Sequence, residues 1–429
     1  MGAAELLLPR AVAAATPSGP RVVVDYDLTS IGINDAIAGL PATGGVVELV
    51  DATYAITNTV LVPSNVALTG KGRGVTILQL AAGANTLVLG NADLVNGNAN
   101  VTLRGFTVDG NRSAQPDGAS TQGIELHQCP FAHLDDLEVH DCTGTGLFFS
   151  GDGKVVRIAT LSNIQCHDNT ADGMFVTFAA REVHYAAVTC DLNGRDGLVI
   201  DHSDSVAIGI HASRNGRDGV RIHNVVSDTI VGVNANLNGR NGIRVSGFVD
   251  STGAMWEAHT NGLAEAASDI YFDGLTDSYG LTNRAIVSGI ECGPVSKSTW
   301  GTGWPSPTAA TMTYGLEVDP AITGSLTLLG ARSTGGSLGS YSFPPASASS
   351  QLSVLTLATN SADMQLLRGN LTIGTGNFIH GSKTAKLGFY GAAPTTRPTV
   401  SGSAKSGAAL QSLLKALAKL GLINNTTTS

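Results

Sequence analysis

Charge is scarce in this chain of 429 residues. Asp, Glu, Lys and Arg make up 14% of it and aromatic residues only 5%. A helical enzyme or a disordered tail would carry more charge on its solvated faces. The balance is acidic, with a formal net charge of −9. Nucleic acid is therefore not expected as a partner, because phosphate binding needs a basic face. No apolar run approaches the roughly 18 residues of a membrane-spanning helix, so no membrane insertion is expected. The N-terminus has Leu6-Leu7-Leu8 but no basic segment before it, and Pro9-Arg10 interrupts it. A secretory signal is not expected there. The five cysteines form no Cys-x-x-Cys pair, so neither a zinc site nor another metal site is expected. There is no P-loop, no dinucleotide fingerprint and no His-Glu-x-x-His. Nothing implies a cofactor.

Glycine is plentiful, with 53 residues, and much of it is periodic. Asn169-Thr170-Ala171-Asp172-Gly173 aligns with Asn193-Gly194-Arg195-Asp196-Gly197, Asn215-Gly216-Arg217-Asp218-Gly219 and Asn238-Gly239-Arg240-Asn241-Gly242, at steps of 24, 22 and 23 residues. Behind each terminal glycine comes an apolar, any, apolar triplet: Met174-Phe175-Val176, Leu198-Val199-Ile200, Val220-Arg221-Ile222, Ile243-Arg244-Val245. Gly123-Ile124-Glu125-Leu126 and Gly146-Leu147-Phe148-Phe149 extend the series upstream. Period-2 alternation buries one face of a strand. A repeat this short cannot bury its own apolar side, so the units must stack as a solenoid. The glycines are expected to form one column and to supply φ > 0 at sharp bends. The asparagines are expected to stack as an amide ladder. The column Arg195, Arg217, Arg240 is expected to pair at the surface with Asp172, Asp196 and Asp218. Cys142, Cys166 and Cys190, each 24 residues apart, are expected to line the interior as reduced thiols.

A short amphipathic segment at 31–39 would cap the open end of the core. Strands and turns follow from Gly44-Gly45-Val46-Val47-Glu48-Leu49 to Val101-Thr102-Leu103-Arg104-Gly105-Phe106-Thr107-Val108-Asp109-Gly110-Asn111. Asp109-Gly110-Asn111-Arg112 reads as a turn in which Asp bonds its own backbone. This stretch resembles the pectate-lyase-like β-helix superfamily of polysaccharide lyases, hydrolases, epimerases and viral tailspikes, over roughly residues 20–290. The fold expected is all-β: a right-handed parallel β-helix over 21–295 after an extension over 1–20. A connector and smaller β-rich region follow over 296–400. Residues 401–429 then form a linker and a short C-terminal helix at 408–420.

Leu410, Leu413, Leu417 and Leu420 put a narrow apolar stripe on that helix. Before it stand Lys386-Leu387-Gly388-Phe389-Tyr390-Gly391 and Arg397-Pro398-Thr399-Val400. Together these resemble the terminal module of tail and fibre proteins of tailed bacteriophages. The resemblance implies a virion protein made in a host cytoplasm, in contact with other tail proteins. It also implies a homotrimer held partly by the leucine stripe.

Chemistry on such a solenoid would use carboxylates and imidazoles along one face. The fourth position after each repeat glycine gives a column expected to be exposed: His127, Ser150, Thr177, Asp201, His223 and Ser246. Adjacent coils lie about 4.8 Å apart, so Asp201 and His223 would be neighbours and are the catalytic candidates. Glu125, His127, His202 and Asp204 are the binding candidates, with His140-Asp141 close in register. No aromatic stripe is evident, although Trp256, Trp300 and Trp304 could stack on sugar rings. The sequence therefore supports a phage tail component that contacts host cell-surface glycan. A polysaccharide depolymerase, either lyase or hydrolase, is the alternative.

Overall fold

The computed structural model describes residues 19–151, 158–177, 180–274, 284–294, 312–322, 324–333, 337–343, 350–357, 364–368, 386–387, 395–396, 398–403, 405, 407–420 and 422–424. The extension before residue 19, Trp300 and Trp304 lie outside them. The chain divides into two units, 1–369 and 370–429.

The first unit is a solenoid of parallel strands. The first coils carry three short strands, as Gly45–Leu49, Thr53–Ile56 and Val60–Val62 do, and from Thr102–Asp109 to Arg284–Cys292 long strands alternate with short ones, the two kinds running together in Ile243–His259. The short strands Ile124–His127, Leu147–Ser150, Met174–Val176 and Leu198–Ile200 pair in register with each other and with the start of Val220–Val226. The first and third residues of each triplet face inward. Leu147, Met174, Leu198, Val220 and Ile243 are all fully buried, as the alternation requires. The six glycines stack in one column. The amide of Gly123 donates to the Gly146 carbonyl at 3.1 Å. A Cβ on Gly146, Gly173, Gly197 or Gly219 would lie 2.6–2.7 Å from the carbonyl oxygen of the next glycine in the column.

The reason for those glycines differs from the one expected. None of the six has positive φ. They are glycine because the ladder asparagine of the next coil crowds them: a Cβ on Gly197 would meet Asn215 Nδ2 at 2.6 Å. Positive φ sits elsewhere. Each long strand bends at a left-handed residue, and these stack: Gly105, Asp136, Asn163, Ala187, Gly209, Gly232, Met255, Gly289 and Gly330, with φ between 52° and 71°. The bend splits each long strand into two faces, so the solenoid has three.

The amide ladder forms as expected and gains a fifth rung. Asn169, Asn193, Asn215 and Asn238 each receive the Nδ2–H of the preceding asparagine or donate to the next at 2.9–3.0 Å, ending on Asn261. Each Nδ2 also donates to a backbone carbonyl of the coil before. Cys142 stands at the head of this stack, its amide donating to Asn169 Oδ1 at 3.1 Å. Cys166 and Cys190 are register partners, but Cys166 faces Val139 on its other side, so Cys142 is not in their column. All five cysteines are buried and reduced.

The helix Ser30–Ala38 covers the start of the core with Ile33, Ala36 and Ile37 buried. Thr29 caps it by accepting from the amides of Ile31 and Gly32. Past Cys292 the same parallel sheet runs on. Tyr314–Val318 pairs with Ile270–Phe272, and Gly324–Ser333 pairs with Arg284–Cys292 and Ser350–Leu357. Through Leu357 the region expected to be separate therefore consists of further coils. In the second unit Lys386–Leu387 pairs antiparallel with Thr395–Thr396. The helix Ala408–Lys419 follows, one residue short of the expected span.

Candidate functional site on the short-strand face

Successive coils set two outward columns on the short-strand face. Pairing places Glu125, Phe148, Phe175, Val199, Arg221, Arg244 and Tyr271 in one. The other runs two residues on: His127, Ser150, Thr177, Asp201, His223, Ser246 and Asp273. The second is the column read from the sequence, but it is not freely exposed. Ser150 and Ser246 are buried, and His127, Thr177, Asp201 and His223 are half-buried.

Asp201 and His223 are neighbours, as expected. Asn224 Nδ2 donates to Asp201 Oδ1 at 3.2 Å. Burial pushes the Asp201 carboxyl up from the ordinary carboxylate range, against the pull of His223, Asn224 and Arg221. Burial pushes the His223 imidazole down, opposed by Asp201 and reinforced by Arg221. Both shifts have burial as their first cause, and each group opposes the other's shift. Among the described residues, buried Arg221 Nε and His223 Nδ1 have no hydrogen-bond partner here, nor does Asp196 Oδ2, which lies 4.0 Å from Arg221 Nη1. Unsatisfied polar atoms are costly in a dry setting, and so many on one patch mark it out from the rest of the solenoid.

Glu125 and His127 form a second pair, with Oε1 and Nε2 at 2.6 Å. The His127 ring lies 5.8 Å from Phe148, which meets Phe175 edge-on at 5.7 Å. A short aromatic run therefore exists where none was evident. It hides in the sequence because these rings fill the "any" position of the triplets. Arg221, Arg244 and Tyr271 were missed for the same reason. Arg244 and Ser246 both donate to Asp273 Oδ2 at 2.9 Å, and Tyr271 donates to Asp319 at 2.6 Å. Beside them opens a pocket of about 340 Å³ lined by Arg240, Arg244, Tyr271, Tyr314, Glu317 and Leu338.

Two binding candidates leave this face. His202 is fully buried; Tyr185 hydroxyl bonds one ring nitrogen and Ser205 the other. Burial lowers it to about 3, so it is a neutral core residue. Asp204 sits in a left-handed turn before the next long strand and pairs with Arg181 at 3.7 Å. Trp256 is buried too, donating to the Ile230 carbonyl, and cannot stack on a sugar. The Asp column expected at the surface is likewise interior. Asp172, Asp196 and Asp218 are at most 2% exposed, with Arg195, Arg217 and Arg240 lying over them. Asp109 bonds the Asn111 amide at 2.7 Å, the turn expected there.

On the second unit's helix Leu410 and Leu413 are 60% and 40% exposed, while Leu417 and Leu420 are half-buried.

Residues 94–252 match the family described as right handed beta helix region. The chain is 26% identical over 136 residues to the preneck appendage proteins of Bacillus phages PZA and phi29. That alignment covers 29% of this chain and 16% of each relative, so the chain spans about a sixth of their length. Its fold resembles the A-module of mannuronan C-5 epimerase AlgE6 from Azotobacter vinelandii, with TM-score 0.55 and 18% identity over 77% of this chain and 95% of that one. It also resembles tailspike protein 2 of Escherichia coli O157:H7 bacteriophage CAB120, with TM-score 0.52 and 16% identity over 76% and 44%. The first unit is thus a right-handed parallel β-helix of pectate-lyase-like architecture, and part of the chain is similar to phage appendage proteins.

Proposed function

We propose that the chain is a tail component of a tailed bacteriophage, of tailspike, fibre or minor-tail type, that contacts host cell-surface glycan through its short-strand face. The match to phage preneck appendage proteins carries this reading. The face supports it: carboxylates, imidazoles, guanidinium groups and two phenylalanines lie in register along the axis of the solenoid, which suits an extended polymer. The protein would be made in the host cytoplasm and assembled with other tail proteins. The leucine stripe would join copies into a homotrimer. Each buried leucine contributes roughly 1.5–3 kcal/mol, and the helix alone is too short to persist in water.

One observation favours a depolymerase as the second reading. Asp201 and His223 are half-buried neighbours on successive coils, a carboxyl beside an imidazole, the group types that a general acid–base couple uses.

Gold-labelled antibody against the chain, imaged on particles of the encoding phage, tests the first reading. Label on the tail is expected; label confined to the capsid, or absent, overturns it. Incubation with host surface polysaccharide tests the second. Release of new chain ends that Asp201→Asn abolishes supports cleavage at this pair. Binding without cleavage leaves the tail-contact reading alone. Light scattering on the intact chain and on one ending at Ser401 tests the trimer. A monomer in both at micromolar concentration overturns it.

A further inference from the structure

The pocket on the later coils of the short-strand face has a polarity of its own. Strand register sets Arg244 beside Tyr271, and Tyr271 beside Glu317, on three successive coils. Coils lie about 4.8 Å apart, so the guanidinium end and the carboxylate end stand roughly 10 Å apart with an aromatic ring between them. Arg240, in the turn before Ile243–His259, and Tyr314, at the start of Tyr314–Val318, close the sides. A volume of about 340 Å³ is at the small end for ligand pockets. It suits one sugar ring rather than a segment of chain.

The polar groups of the lining are only partly used. Arg240 donates Nε and Nη2 to Asp218, and Arg244 donates Nε to Asp273 at 2.9 Å. Arg240 Nη1 and both terminal nitrogens of Arg244 have no hydrogen-bond partner among the described residues. At the other end Glu317 Oε2 accepts the Ser268 hydroxyl, and Oε1 has no partner among the described residues. The Asn241 amide between them is committed, donating to Asp218 and accepting from the Ser268 backbone. Tyr271 donates its hydroxyl to Asp319 at 2.6 Å, which fixes its ring as a wall. The pocket therefore offers spare donors at one end, a spare acceptor at the other and aromatic surface between. A sugar hydroxyl both accepts and donates, whereas a carboxylate only accepts.

Charge narrows the ligand further. Both guanidinium groups are already matched: Asp218 and, at 3.6 Å, Glu265 hold Arg240, and Asp273 holds Arg244. Glu317 and Asp319 add carboxylates with no further cation in the lining. A second anion would enter against that excess, and like charges brought together at a dry contact are rejected. We propose that this pocket binds one uncharged sugar ring and rejects acidic sugars such as hexuronates. The ring lies against Tyr271 and Tyr314, and its hydroxyls bridge Arg240 and Arg244 to Glu317. The assignment of that sugar to host glycan rests on the glycan-contact reading above.

Titration of the full-length chain with methyl glycosides, followed by saturation-transfer NMR, tests this. The probes are the glycosides of glucose, galactose and mannose and of the matching hexuronates. At least one neutral glycoside should bind, at least about tenfold tighter than its uronate counterpart. Tyr271→Ala should weaken it about tenfold. Glu317→Gln keeps the shape of the pocket and removes one opposing charge, so it should narrow the gap between the pair at least about threefold. Arg104→Gln, on an exposed long-strand arginine, should change neither. Binding of no neutral glycoside overturns the proposal, as does a uronate bound equally or more tightly. If Tyr271→Ala fails to fold, Glu317→Gln decides, and an unchanged gap there overturns it. Host surface polysaccharide separates the two readings. If it binds while no glycoside does, the pocket falls and the face contact stands; if a neutral glycoside binds while it does not, the face contact falls and the pocket stands.

Discussion

Two stacks run side by side through the same turn, three residues apart, and they solve burial in opposite ways. The asparagine stack is neutral, and every rung both donates and accepts. The aspartate stack borrows the same geometry: Asp172 Oδ1 accepts the Asp196 amide, and Asp196 Oδ1 accepts the Asp218 amide, both at 3.0 Å. It cannot donate, and it places like charges at coil spacing. Asp196 Oδ2 is buried without a hydrogen-bond partner among the described residues, and Arg221 Nη1 lies 4.0 Å from it. Burial and then Asp218 push its carboxyl up, against Arg217. A repeating side chain thus stabilises a solenoid when it carries both halves of a hydrogen bond. When it carries only one, it stores strain that the flanking arginines offset.

The sharpest way to break this contrast is to remove a rung. Asn215→Ala deletes the acceptor for the Asn193 amide and Nδ2 and the donor to the Cys190 carbonyl. Each buried group left unsatisfied costs about 1–3 kcal/mol, so denaturant unfolding should show a loss of about 4 kcal/mol. Next comes Gly197→Ala, whose Cβ would lie 2.6 Å from both Asn215 Nδ2 and the Gly219 carbonyl; a loss of about 3 kcal/mol is expected. Gly209→Ala is its control. Gly209 has φ 71°, but its added Cβ would meet nothing closer than 3.8 Å, and Ala187 and Met255 already occupy that bend. It should cost only about 1 kcal/mol.

The foot of the asparagine stack titrates. Asp269 accepts the amide and Nδ2 of Asn261 and the Gly293 amide, and burial raises it from 3.8 to about 7 in spite of those bonds. A carboxyl raised on folding contributes stability that is complete below its unfolded pKa and is lost as pH rises through the folded one. Thermal stability should therefore fall between about pH 4 and 7 and level off above that, and Asp269→Asn should flatten that slope. The smallest effect belongs to the charged stack. Asp196→Asn mimics the protonated form, so it should gain up to about 1 kcal/mol at pH 7 and nothing below about pH 4. A loss at pH 7 would show that the arginines more than offset the charge.

How much of this the sequence discloses depends on whether a residue's role lies within its own coil. The triplets, the glycine column and the asparagine stack are legible because one repeat unit carries each of them. The bend column is not, since Asp136, Asn163, Ala187 and Met255 share only a φ value and no chemical type. The Asp–Arg columns are legible in position but not in depth, because charge reads as surface until packing shows otherwise. At the candidate site, Asp201 and His223 were found by register. Phe148, Phe175, Arg221 and Arg244 were not, because an alternating pattern treats outward positions as filler. His202 misleads for a local reason: the chain turns at Asp201, so the next side chain points inward to Tyr185.

The claim on which the function rests is that glycan meets the short-strand face. Hydrogen–deuterium exchange of the chain, with and without host surface polysaccharide, tests it most directly. Protection should appear in peptides spanning 198–201, 220–224, 243–246 and 270–273, and not in those spanning 133–140 or 159–167. Protection confined to the long strands, or none at saturating polysaccharide, would contradict it.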